Sequence, residues 1–285
     1  MSESTEPAQP SPEGRRRHPL ARGIGLLALM VDTDQETHGV RELAGRLGVS
    51  PSTVHRLVTD LESLGLASRT ANGSYRLGLE FLRLAWTAAD RFPMHEVAID
   101  TLRELTEQSG ESSFFGVYGE PRQEMMFTFT VESPHPLRYA LPQHEWLPLH
   151  AGASGLAILA FLPEEVREEV LSRPLAATTG RTITDPVRLR ERLERIRADG
   201  YSITHGERIE GAIAIAAPVF GPLGSVAGST GLTLPDARFK DAHEASLTSL
   251  VREIADRLSG YMSGSRDPRT GILRRSAEFG DRVSD

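Results

Sequence analysis

Hydrophobic positions along the chain repeat at two different periods, and the switches between them mark out its elements. Up to Val31, and again from Val40 to Leu64, apolar residues recur every three or four positions, as on one face of a helix. The pattern predicts helices over Leu20–Val31, Val40–Leu47 and Pro51–Leu64, the last with a stripe of Val54, Leu57, Val58, Leu61 and Leu64. Ser50 stands where an N-cap belongs, and Pro51 where the first helical residue tolerates a missing N–H. Gly48-Val49 leaves room for only a tight connection between the second and third helices, which is a helix-turn-helix pattern. Ser52, Thr53, His55, Arg56 and Thr59 fall off the apolar stripe and are the candidate DNA-reading residues. After Gly65 the period becomes two: Leu66–Arg69 and Ser74–Leu77 read as strands around Thr70-Ala71-Asn72-Gly73, which carries the Asn-Gly turn signal. A hairpin directly after a recognition helix is a wing, and Arg69 and Arg76 flank its turn, where they reach toward phosphates or a minor groove.

From Gly78 to Arg91 the chain is apolar on nearly all sides, which a solvated linker does not tolerate. A second copy of the chain is the economical cover, because a winged helix reading a palindrome needs a twofold mate. Pro93–Gln108 reads as an amphipathic helix, followed by strands over Ser112–Tyr118, Glu124–Val131 and Leu137–Leu141. An apolar helix is expected from Ala151 to Leu162, and further helices over Glu164–Ser172 and Asp185–Ala198. A hairpin of Ala212–Phe220 and Ser225–Leu234 then precedes a closing helix over Asp236–Met262. Antiparallel strands flanked by helices make this region, and the chain, α+β. The expected domains are a disordered tail at 1–19, a winged helix-turn-helix domain at 20–77, a linker helix at 78–92, an effector-type domain at 93–262 and a second tail at 263–285. Within the first tail, Arg15-Arg16-Arg17 is placed near the DNA backbone.

Composition narrows the function. At 285 residues with 39% hydrophobic, each of two domains has enough apolar surface for a core. The net charge of −7 argues against a protein that coats nucleic acid without regard to sequence. Between Leu20 and Ala85 seven arginines meet seven acidic residues, so the DNA reading rests on motif rather than on bulk charge. Lys240 is the only lysine, and almost every cation is therefore a planar guanidinium suited to phosphate or guanine. With no cysteine, a disulfide framework, a thiolate nucleophile and Cys-ligated zinc are excluded. The apolar run near Ile24–Val31 is too short to span a membrane and the N-terminus too polar for a signal peptide, so the cytoplasm is expected, with no membrane partner.

The winged helix, the apolar linker helix, Leu147-Pro-Leu-His150-Ala-Gly-Ala-Ser-Gly155, and then Gly200-Tyr201, Gly211 and Ile215-Ala-Ala217-Pro218-Val219-Phe220 follow one another in a particular order. That order resembles the IclR family of bacterial transcriptional regulators, over roughly Leu20 to Met262. The resemblance implies a GAF-like effector domain, a homodimer that in many members pairs into a dimer of dimers, double-stranded operator DNA as partner, and neither catalysis nor a cofactor. It places a small-molecule effector against Leu149, Ala153, Ser154, Thr204, Ala212, Ala214, Gly231 and Thr233. Leu156 stands where the family commonly has lysine, Thr204 where it has an acid, and Gly231 with Thr233 where it has a serine pair. These departures make the pocket less polar and favour an organic acid with an apolar body. The small residues should leave volume, and the helix starting at Ala151–Gly155 should offer free N–H groups to an anionic end.

An enzyme or metal-binding sensor that carries an incidental winged helix is the alternative. His150 and Ser154, four residues apart, invite a nucleophile reading, but Gly152-Ala-Ser154-Gly155 lacks the glycine spacing of a nucleophile elbow. The nine histidines form no His-x-x-x-His or His-Glu-x-x-His pattern, and His205 with Glu207 is the one close pair that suggests a metal. Neither catalytic nor metal residues are assigned.

Overall fold

The computed structural model describes residues 18–33, 35–90 and 95–264. Most of both expected tails, including Arg15-Arg16-Arg17, lies outside the described residues. The chain separates into two compact units, Met1–Phe92 and Pro93–Asp285.

The first unit contains α1 (Pro19–Val31), α2 (Val40–Leu47), α3 (Pro51–Ser63), β1 (Ala67–Arg69), β2 (Tyr75–Leu77) and α4 (Leu79–Asp90). Leu26 and Met30 of α1, Leu43 of α2 and Val54, Leu57, Val58 and Leu61 of α3 bury together with Tyr75 in one core. Each fully buried Val or Leu contributes roughly 1.5–3 kcal/mol relative to exposure. Helix α2 stops because Gly48 takes the left-handed conformation, at φ 68°, which returns its N–H to the Ala44 carbonyl. Leu64 departs from the predicted stripe. It caps α3 rather than extending it and is 64% exposed, because the chain reverses there and the Leu66 N–H returns to the Leu61 carbonyl.

β1 and β2 pair with Ala67 opposite Leu77 and Arg69 opposite Tyr75. His38, from the loop before α2, adds a third rung through two backbone bonds to Tyr75 (2.7 and 2.9 Å). The wing is thereby tied to the front of the helix-turn-helix. On α4, Leu79, Leu84 and Trp86 are exposed, Trp86 by 64%. Glu80 and Arg83 form an ion pair on the same helix, so it is less uniformly apolar than the sequence reading had it.

The second unit contains α5 (His95–Ser109), β3 (Ser112–Gly119), β4 (Glu124–Val131), β5 (Trp146–Pro148), α6 (Ala153–Leu159), α7 (Glu164–Ser172), α8 (Pro186–Asp199), β6 (Ser202–His205), β7 (Ala212–Phe220), β8 (Val226–Pro235) and α9 (Asp241–Met262). The sheet is six-stranded and antiparallel, in the order β5-β4-β3-β8-β7-β6. Alternate residues of each strand serve opposite faces. Phe114 points to the layer of α6, α7 and α8, and its neighbour Phe115 to the layer of α5 and α9. On β7 the large Ile213, Ile215 and Val219 face α9, while the small Ala214 and Ala216 face α6. Both faces of the sheet are filled, and the small β7 residues let α6 lie close on its own face.

Three predicted elements differ. No strand forms at Leu137–Leu141 among the described residues. Pro134, Pro136 and Pro142 flank it and remove N–H donors on either side, and its side chains dock separately: Arg138 on Glu132, Tyr139 through its hydroxyl to the Glu210 carbonyl (3.1 Å), and Leu141 on the core. The edge beside β4 is taken by β5 instead, with Met126 opposite Trp146. The apolar helix closes at Leu159 rather than Leu162. The last helix begins at Asp241, after a single 3-10 turn at Asp236–Arg238. Arg238 is held in that turn by a two-pronged ion pair with Glu111 (2.8 and 2.5 Å) and by the Leu137 carbonyl (2.7 Å).

Candidate functional site

Helix α3 presents its opening turns in the way the sequence pattern requires. The Ser50 side chain accepts the Thr53 N–H at 3.3 Å, and its hydroxyl shares hydrogen bonds with those of Ser52 (2.9 Å) and Thr53 (2.8 Å). Ser52, His55, Arg56 and Thr59 are exposed on the face away from the core, and Thr53 is half-buried. The Thr59 hydroxyl donates to the His55 carbonyl (2.8 Å), which leaves its oxygen lone pairs free as acceptors. Arg69 and Arg76 project from the wing strands; Arg76 Nε donates to Ser68 across the strand pair (3.2 Å). Arg56 and Arg69 make neither an ion pair nor a hydrogen bond among the described residues, so both are available to an external anion. An open recess of about 1210 Å³ runs between Met30, Glu62, the two wing arginines and Phe81. It is a surface groove beside the wing and holds none of the predicted effector residues.

Those residues meet in the second unit, under α6. A cavity of about 30 Å³ is lined by six of the eight predicted: Ala153, Ser154, Thr204, Ala212, Ala214 and Thr233. It has the size of a site for one or two waters, whereas ligand pockets typically run to about 300–1,000 Å³. The volume expected from the small side chains is therefore mostly taken up by packing. Leu149 is buried in the adjoining core rather than at the cavity. Gly231 is also absent from the lining: a Cβ there would fall 2.0 Å from the Ile215 carbonyl oxygen, so its glycine serves close strand approach rather than pocket volume. The hydroxyls are largely engaged. Ser154 and Ser229 share a hydrogen bond of 2.6 Å, and Thr233 donates to the Ile213 carbonyl (3.2 Å). Helix α6 spans only seven residues.

Sequence reading missed Arg208 and noticed Glu207 only as a partner of His205; these two give the cavity its charge. Arg208 and Glu207 both line it, with Phe114, Phe127, Leu141 and Ile209 as apolar walls. Arg208 reaches across from the segment before β7 and donates through Nη2 to the carbonyls of Pro148 (3.1 Å) and Ala151. Its stem lies over Gly152, at φ 79°, where a Cβ would come within 2.6 Å of the Arg208 Nε. The residue as a whole is half-buried, but its guanidinium sits deep enough that burial pushes its pKa down to about 10. Glu207 is buried and its Oε2 has no hydrogen-bond partner. Burial raises its pKa, an effect partly offset by Arg192. The Glu207 backbone is pinned by the hydroxyls of Thr178 (2.9 Å) and Thr182 (2.7 Å). In the sequence Arg208 reads as part of a polar turn; the one available signal was its charge beside Glu207, between Gly206 and Gly211.

The alternative chemistry does not assemble. His150 Nε2 bonds the Ala176 carbonyl (2.8 Å) while Ser154 bonds Ser229, so the two side chains are engaged with other partners rather than with each other. His205 stacks edge-on against Phe239, whereas Glu207 turns into the cavity. Among the described residues no three metal-ligating side chains cluster.

A capped helix-turn-helix with a wing, joined in one chain to an α+β unit with an internal cavity, defines a DNA-binding regulator class. The matches to known proteins agree. The model of the IclR helix-turn-helix domain matches residues 19–71, and that of the bacterial transcriptional regulator IclR C-terminal domain matches residues 86–260. The chain belongs to the IclR family of transcriptional regulators. It is 30% identical to the HTH-type transcriptional regulator KipR of Bacillus subtilis, covering 84% of this chain and 95% of that protein. An IclR transcriptional regulator from Silicibacter sp. TM1040 superposes with a TM-score of 0.78 at 26% identity, over 86% of this chain and 96% of the other. An IclR homolog from Microbacterium hydrocarbonoxydans, solved in complex with 4-hydroxybenzoate, superposes at 0.72 with 26% identity, over 87% of this chain and all of the other.

Proposed function

We propose that this protein is a homodimeric regulator that reads an operator through α3 and the wing, and whose DNA affinity is set by a small organic acid held in the cavity under α6. Ser52, Thr53, His55, Arg56 and Thr59 meet base edges in the major groove, and Arg69 and Arg76 meet phosphates or the minor groove. The exposed, unpaired Arg56 on the second turn of a capped helix is the observation that carries this reading. The exposed Leu79 and Trp86, seven residues apart on one face of α4, support the dimer, since exposed large apolar side chains mark an association face. The small Ala153, Ala212 and Ala214 beside Phe114 and Phe127 support an effector with an apolar body, and the 4-hydroxybenzoate complex of the Microbacterium relative supports the acid.

The reading is tested by a gel shift of the full chain on DNA upstream of its own operon, with and without a panel of aromatic and medium-chain acids. A specific complex whose affinity one of the acids shifts is the expected result. Binding that is independent of sequence and insensitive to every small molecule tried would overturn it.

A further inference from the structure

Arg208 brings a positive charge to the cavity wall, and nothing in the described residues answers it. No carboxylate pairs with it; Nη2 is spent on two backbone carbonyls, and the Nε and Nη1 donors make no hydrogen bond. Those two carbonyl contacts also strap the turn that leads into α6. The strap leaves three of the five Arg208 N–H donors and its charge open to a further partner. Glu207 lines the same cavity with a buried oxygen that has no partner. The two charges do not satisfy each other, although they are neighbours in sequence. A carboxylate and a separate hydrogen-bond donor on one ligand would complete both groups.

We infer that Arg208 binds the effector's carboxylate and that Glu207 accepts a hydroxyl elsewhere on the same molecule, so that the effector class is a hydroxy-substituted carboxylic acid with an apolar body. This rests on the proposal that the cavity takes the effector. The cavity of about 30 Å³ admits such a molecule only when its wall moves outward. Arg208 belongs to that wall, so occupancy and the position of the 148–152 turn are mechanically joined through its two carbonyl bonds.

The test is direct binding to the full chain by calorimetry, with 4-hydroxybenzoate, its methyl ester and benzoate as probes. Wild type should prefer the acid over the ester by about tenfold or more, the scale of a hydrogen bond to a charged group. Arg208→Met keeps an apolar stem over Gly152 and should abolish that preference, while Arg208→Lys, which keeps the charge, should restore part of it. Glu207→Leu should bring 4-hydroxybenzoate down to the affinity of benzoate. Equal binding of acid and ester by wild type, failure of every acid to bind, or an acid preference that survives in Arg208→Met would overturn the inference. If Arg208→Met does not fold, Arg208→Gln takes its place: loss of the acid preference in it, with part kept in Arg208→Lys, supports the assignment, and a full preference in Arg208→Gln overturns it. Failure of the broader effector reading looks different: operator affinity that no small molecule shifts at all.

Discussion

Replacing Ser50 with alanine and with aspartate should move stability and DNA affinity in different directions. Ser50→Ala removes the acceptor of the Thr53 N–H and the hydroxyl contacts to Ser52 and Thr53. Loss of an N-cap costs about 0.5–2 kcal/mol, and a bond as long as 3.3 Å on an exposed residue places this one near about 1 kcal/mol. In a domain of this size class, 1 kcal/mol corresponds to roughly 4–8 °C in Tm. Ser50→Asp keeps an acceptor and puts a negative charge at the positive end of α3, so it should return most of that loss. On the operator the charge works the other way, because the proposed reading sets the start of α3 against negatively charged DNA. Ser50→Asp should therefore bind DNA more weakly than Ser50→Ala despite being more stable. Calorimetric melting of the full chain and fluorescence anisotropy on a labelled operator give the two readouts. A Ser50→Ala protein that melts with wild type, together with a Ser50→Asp protein that melts lower, would refute the capping argument. An Asp variant with full operator affinity would refute the placement of this helix end at the DNA.

Other consequences can be checked independently. Arg56→Ala should weaken specific operator binding by about 1–3 kcal/mol, the worth of a bidentate base contact, with an unchanged circular dichroism spectrum; anisotropy at fixed salt measures it. Trp86→Glu places a charge on the exposed face of α4 and should shift the protein from dimer toward monomer in sedimentation without a loss of helix content. Glu207 has a folded-state pKa raised by burial, so its contribution to stability is fully present below the unfolded carboxylate pKa and is lost as pH rises through the folded value. Glu207→Gln should thus raise Tm at neutral pH, and the gain should vanish in melts below the ordinary carboxylate range.

Local signals made the first unit readable. Ser50-Pro51 fixes where α3 begins, Gly48 fixes where α2 ends, and Asn72-Gly73 fixes the wing turn; each acts within a few residues and needs no tertiary partner. Leu64 misled because periodicity continues past the point where the backbone turns back. In the second unit the strands with alternating large and small residues, β7 above all, were also legible, and so were six cavity residues brought by the family resemblance. Leu137–Leu141 has the alternation of a strand, yet tertiary docking of Arg138, Tyr139 and Leu141 overrides it. β5 escaped notice because it is three residues long, ends in Pro148 and owes its pairing to β4. Arg208 was missed, and Glu207 was read only beside His205, for a related reason. A charge in a turn is ordinarily solvated, and only the packing of α6 against β7 turns this one inward. The smallness of the cavity was equally hidden, since composition reports the size of side chains and says nothing of how closely the layers approach.

The central question is whether α3 and the wing read a symmetric operator. Footprinting of the full chain on DNA upstream of its own operon decides this. The predicted result is two protected half-sites, centred about one helical turn or a multiple of it apart, with protection lost in Arg56→Ala. Protection that is uniform along the fragment, or that persists unchanged in Arg56→Ala, would contradict it.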